Sequence, residues 1–102
     1  MSFNPNQNHS ITLVIAAAMT KDYRDSNPGA TLGGFFGKDA LQAILNQPNC
    51  VGISYYYALD GAAPTLVLVG AKAEEDDMIN GLLADHGLPN PPNGSQPNVL
   101  NS

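Results

Sequence analysis

The sequence predicts an α+β fold, with helices packed on a two-stranded antiparallel β-hairpin and an extended C-terminal tail. Three observations predict it. The first is a β-rich run, Cys50-Val-Gly-Ile-Ser-Tyr-Tyr-Tyr-Ala-Leu59, joined through Asp60-Gly-Ala-Ala-Pro64 to a second run, Thr65-Leu-Val-Leu-Val-Gly70. Two such runs about a turn read as a hairpin. The second is an apolar stretch of helical spacing upstream of this pair. The third is punctuation by Pro, Gly and Asn, which separates these pieces and fills the end of the chain. Both strands carry bulky apolar groups on both faces. An isolated hairpin needs a third strand or helices to be stable in water. Helices on one side and a second copy of the chain on the other would resolve that excess.

The elements follow in order. Residues 1–9 are Asn-rich and read as a flexible arm. Ser10 is placed to cap a helix running to about Asp25, with Ile11, Val14, Ile15, Ala18 and Met19 at i, i+3, i+4 spacing. Leu13, Ala16, Ala17 and Tyr23 widen that stripe around most of the circumference, which predicts a helix buried on several sides. Ile-Thr-Leu-Val-Ile also has strand propensity, but the alanines and the charged last turn favour helix. Ser26-Asn-Pro-Gly29 ends it.

Gly33-Gly34-Phe35-Phe36-Gly37 reads as an apolar loop or short extended piece seating two rings in the core. Residues 38–46 form a short helix presenting Leu41, Ile44 and Leu45, stopped by Pro48. In the hairpin, Val51, Ile53, Tyr55 and Tyr57 share one face, and Gly52, Ser54, Tyr56 and Ala58 the other. Leu66 and Leu68 likewise oppose Val67 and Val69. After Gly70, an acidic run leads into residues 78–86, read as a short helix with Met78, Ile79, Leu82 and Leu83 inward and Gly87 just past its end. The tail, residues 89–102, has no period and reads as extended. It is either disordered or an ordered arm anchored by Val99 and Leu100. One domain, residues 10–88, thus lies between a flexible arm and a Pro/Asn-rich tail.

Composition narrows the function. A chain of 102 residues is one domain with a thin stability margin. Charged residues make up only 13%, against about 25% in an average protein. Weak repulsion between copies tolerates self-association. Net charge is −5, with Lys21, Arg24, Lys38 and Lys72 as the cations. Four scattered cations do not track a phosphate backbone or hold an anionic membrane, so neither nucleic acid nor membrane is an expected partner. A single cysteine, Cys50, makes no intrachain disulfide. No apolar run is long enough to span a membrane, and the N-terminus lacks the features of a secretory signal. The default expectation is a cytoplasmic protein, with export lacking a cleaved signal left open.

Motifs for chemistry are sparse. The Gly33 to Gly37 stretch before Lys38 lacks phosphate-loop spacing. Glu74, Glu75, Asp76 and Asp77 offer oxygen ligands for Ca²⁺, although four consecutive acids match a calcium loop poorly and suit a solvated helix start. His9 and His86 stand apart from any metal-ligand partner. His86 suits a helix C-terminus, where a cation is favoured. Cys50 has no identifiable base and reads as an inert thiol. No cofactor is expected. Tyr55, Tyr56 and Tyr57 alternate faces, so one face carries core and the other presents a ring of the type enriched in interfaces.

Tyr23-Arg24, Phe35-Phe36-Gly37, residues 41–45 and Gln47-Pro-Asn-Cys-Val-Gly-Ile53 together resemble a group of short bacterial proteins of the Bacteroidota type. Tyr57, Leu66-Val-Leu-Val-Gly70, Asp77-Met78, Pro91-Pro92 and Asn98-Val-Leu-Asn101 continue it. The resemblance covers residues 20–101 and implies no established activity or catalytic residue. Members of that group carry cysteines flanking the Pro-Pro pair. Asn90 and Asn93 stand there in this chain, which removes a tail disulfide or metal clip.

The expectation is a non-enzymatic, self-associating structural or interaction protein, forming a homo-oligomer or filament with copies of itself. Its interface would draw on Tyr55, Tyr56, Tyr57, Val67, Val69, Val99 and Leu100. The alternative is a small Ca²⁺- or ligand-binding module using Glu74, Glu75, Asp76 and Asp77. An enzyme using Cys50 or Tyr56 ranks last, for want of a paired base.

Overall fold

The computed structural model describes residues 2–85 and 88–101. Among the described residues, two helices and two antiparallel sheets make the fold α+β. The elements are α1 (Leu13–Ser26), β1 (Gly33–Phe35), α2 (Lys38–Leu45), β2 (Gly52–Asp60), β3 (Ala63–Ala71), β4 (Leu83–Asp85) and β5 (Leu88–Asn90).

The β2–β3 hairpin is the longest feature, pairing Gly52 with Ala71 through to Asp60 with Ala63. Its connection is two residues, Gly61 and Ala62, not the five-residue link read from the sequence. Gly61 takes φ +63 at the first central position, as a tight hairpin turn whose twist suits the strands requires. The strands therefore absorb Asp60, Ala63 and Pro64 into the ladder.

The sheet has a third strand. β4 pairs with β3, matching Val67 with Asp85 and Val69 with Leu83. This overturns the helix expected over residues 78–86, of which His86, with Gly87, lies outside the described residues. Two forces decide against that helix. Gly81 is unfavourable in a helix interior by about 1 kcal/mol. The open edge of β3 offers a ladder instead: Met78 N–H donates to the Gly70 carbonyl at 2.9 Å, and Ala71 bridges to Asp77. β3 thereby becomes a central strand, and its side chains form most of the core. Leu68, Val69 and Ala71 are buried there, with Ile44 of α2 at 1% exposure.

α2 packs on β2 and β3. Its bounds and its inward Ile44 agree with the sequence reading, but Leu45 is exposed. Gln47 and Cys50, just beyond α2, lie over Gly70.

β1 pairs with β5, Gly34 opposite Pro89, in a separate two-stranded sheet. Leu32 N–H donates to the Asn90 carbonyl at 2.7 Å beside it. The tail is looped by its own Asn side chains, Asn98 N–H donating to Asn101 Oδ1 at 2.7 Å. Arg24 of α1 donates to the Leu100 carbonyl at 2.8 Å. At the other terminus, Phe3 N–H donates to the Ala73 carbonyl at 2.8 Å. Phe35, expected in the core, is exposed at the end of β1, while Phe36 is half-buried.

α1 departs most from its expectation. Its cap is Thr12, whose hydroxyl accepts from Ile15 N–H at 3.2 Å, rather than Ser10. No residue of α1 is buried. Ile11, Leu13, Val14, Ile15, Met19 and Tyr23 are all exposed, Val14 at 80%. The helix predicted to be buried on several sides is left bare by its own chain.

Candidate self-association surface

Strand alternation places the three tyrosines. Tyr55 and Tyr57 share a face with Ile53, Leu66 and Leu68; Tyr56 shares the opposite face with Ser54, Val67 and Val69. All three rings are exposed, Tyr57 at 85%. Tyr55 and Tyr57 meet edge to face, centroids 5.8 Å apart and planes at 80°. Gln47 and Cys50, just beyond α2, cover this face at Gly70, opposite Ile53, and Leu68 is buried, while Tyr55, Tyr57 and Leu59 are exposed toward the turn.

On the other face, the Tyr56 hydroxyl donates a hydrogen bond to the Asp77 carboxylate. That bond and the negative charge of Asp77 raise the phenol pKa. The ring is thereby tethered while half its surface stays open.

Val67 is half-buried and Val69 is 2% exposed. Val69 is thus core rather than surface: it sits on the central strand, flanked in the sheet by Ser54 of β2 and Leu83 of β4. Val99 and Leu100 are exposed, with Leu100 beside Met19, Thr20 and Tyr23 of α1. The structure therefore unites the tyrosines on β2, places Val69 inside, and leaves Leu100 beside α1 with Val99 exposed. Sequence reasoning missed Leu59, Leu82, Leu83 and Ile79 as exposed apolar groups, because the misread helix had turned three of them inward.

Two open grooves flank the hairpin. One, about 550 Å³, lies between the N-terminal arm, Leu45 and the start of β2. The other, about 300 Å³ and mostly apolar, lies between Tyr23, Leu32 and Phe36 on one side and Tyr57 and Leu66 on the other.

The acidic run is a turn, not a helix start. Glu75 has φ +75, and Lys72 N–H donates to the Asp76 carbonyl at 3.0 Å. Asp77 is turned toward Tyr56. Among the described residues, no three His, Cys, Asp or Glu side chains gather as a metal site. Cys50 is half-buried, its thiol donating to the Gly52 carbonyl at 3.1 Å. No described helix is long and apolar enough to cross a membrane.

No protein-family model, curated protein or solved structure matches this chain. Fold and surface define a small α+β chain that exposes many large apolar and aromatic side chains.

Proposed function

We propose that this chain is a non-enzymatic, self-associating structural or interaction protein, whose apolar hairpin and α1 are covered by other copies of itself. One observation carries the reading. The chain exposes 7480 Å², whereas a folded monomer of its 10.7 kDa exposes about 5,500 Å². The surplus, roughly 2,000 Å², exceeds the ~800 Å² that one partner gives to a standard interface and reaches the scale of obligate assemblies.

Two further observations support it. The radius of gyration is 15.2 Å, against about 13 Å for a compact domain of ~100 residues. An isolated helix of fewer than ~15 residues is marginal in water, and α1 buries none of its 14. Packing against a neighbouring copy supplies what its own chain withholds. In that assembly, the helices and the hairpin bury the faces the sequence marks as apolar. The low charge, 13% of residues, lets like surfaces approach.

The test is molar mass by light scattering on a size-exclusion column, from micromolar to near-millimolar concentration. A defined mass above 10.7 kDa is the expected result. A monomer at every concentration overturns the reading and assigns the bare faces to a different protein.

A further inference from the structure

Given self-association, the remaining question is which surface meets its copy. We infer that β2 pairs antiparallel with β2 of a second chain across a two-fold axis at Tyr56, joining two three-stranded sheets into one of six strands. The inference rests on the self-association reading and adds the surface, the symmetry and the register.

Among the described residues the strand order is β2–β3–β4, so β2 is an edge. It is nine residues long, the longest strand together with its partner β3. Natural edges are blunted by Lys, Pro, bulges or short length. β2 has no Lys, Arg or Pro, and its single charge, Asp60, is at its end. Its pairing with β3 runs without interruption from Gly52 to Asp60.

Peptide direction can be followed from the β3 ladder. Gly70 gives its carbonyl to Met78, on the side away from β2, and the two-residue turn makes Asp60 and Ala63 a hydrogen-bonded pair facing each other. Peptide groups alternate edges with the same period of two as the side chains. The β2 partners of Ala71, Val69 and Val67 (Gly52, Ser54 and Tyr56) therefore point at β3. Ile53, Tyr55, Tyr57 and Leu59 turn their peptide groups outward.

The register follows from the sequence of the strand. Tyr56 is the middle residue of Gly52–Asp60, so an axis there pairs the whole length. Tyr55 then faces Tyr57 of the copy, Ile53 faces Leu59, Ser54 faces Ala58, and Gly52 faces Asp60. All four outward residues fall in hydrogen-bonded pairs. Like charges do not meet, because the acid at one end is opposite a glycine. On one face, Tyr55 and Tyr57 of both chains make a continuous run of four rings, flanked by Ile53 and Leu59. Aromatic and aromatic–aliphatic cross-strand pairs are the favourable kind. The edge is complementary to itself, which selects a second copy over a foreign strand.

Cross-linking tests the register. In a Cys50→Ser background, Tyr56→Cys places two thiols in a non-hydrogen-bonded pair, with Cα atoms about 4.5 Å apart, inside the disulfide range. Tyr55→Cys or Tyr57→Cys alone leaves the thiols on the diagonal, about 7–8 Å apart, which is too far. Under air oxidation, Tyr56→Cys is expected to yield a covalent dimer, and an equal mixture of Tyr55→Cys with Tyr57→Cys a heterodimer. Neither of the latter two is expected to do so alone. Hydrogen exchange on the unmutated chain gives a second reading: Ile53, Tyr55, Tyr57 and Leu59 amides should be protected at high concentration and lose that protection on dilution. An oligomer by mass with no selective cross-link and open amides overturns β2 pairing while self-association stands. A monomer at every concentration overturns both.

Discussion

Gln47 ties the end of α2 to the approach to β4: its Oε1 accepts the Leu82 N–H at 2.9 Å. Its Nε2 donates to the Ile44 carbonyl, also at 2.9 Å. One half-buried amide thus links the helix to a segment 35 residues on, beside the core residue Ile44. Gln47→Ala removes both bonds and the bulk over Gly70. The expected loss is about 1–3 kcal/mol, scaled on hydrogen bonds of ~1 kcal/mol each, read as a lower urea midpoint with unchanged slope. A midpoint equal to that of the unmutated chain would remove Gln47 from the framework.

Gly70 and Gly52 make a matched pair. A Cβ on Gly70 would lie 2.9 Å from Gln47 Nε2, 3.0 Å from Met78 Sδ and 3.2 Å from Cys50 Sγ. A Cβ on Gly52 meets nothing within 4 Å. Overpacking a tight site costs about 1–3 kcal/mol, so Gly70→Ala should destabilise by that order and Gly52→Ala by far less. Equal urea midpoints for the two variants would contradict this packing.

These contacts mark the limit of what the sequence discloses. α2 was legible, because Leu41 and Ile44 keep a helical period and Pro48 closes it. The hairpin was legible, because β-branched and aromatic residues flank Gly61. β4 was not, since Leu82, Leu83 and the acids before them also fit a helix, and only the edge of β3 decides otherwise. Val69 was misplaced for the same reason: without β4, the hairpin has no central strand. β1 and β5 are three residues each and exist only through one another, and Pro89 argues locally against a strand. Of the candidate surface, the tyrosine alternation was readable from period two alone. The Tyr56–Asp77 bond spans 21 positions and leaves no local signal.

The cap of α1 separates two residues of similar chemistry. Thr12, not Ser10, accepts the Ile15 N–H. Within its own chain α1 has no fully buried residue, so the cap contributes directly to holding its first turn. Thr12→Ala should cost about 1 kcal/mol of helix stability, visible as lost ellipticity at 222 nm, whereas Ser10→Ala should leave the signal unchanged. The Lys21–Asp25 pair, 2.5 Å apart but more than half exposed at both ends, adds little, and Lys21→Ala should change helicity only slightly.

The Tyr56–Asp77 bond predicts an alkaline signature. Its pKa is raised above the ordinary 10.0 by the hydrogen bond to Asp77, the Asp77 charge and slight desolvation. A group whose folded pKa exceeds its unfolded value stabilises the fold below the unfolded value and loses that contribution as pH climbs through the folded one. The bond therefore contributes fully below pH 10.0, neutrality included, and fades as pH climbs above it. In a spectrophotometric titration of the four tyrosines, one should ionise later than the rest. Asp77→Asn removes the charge that holds the proton, so the late phase should move back toward the others. A late phase that persists in Asp77→Asn would assign it to another tyrosine and break the tether between β2 and the turn before β4.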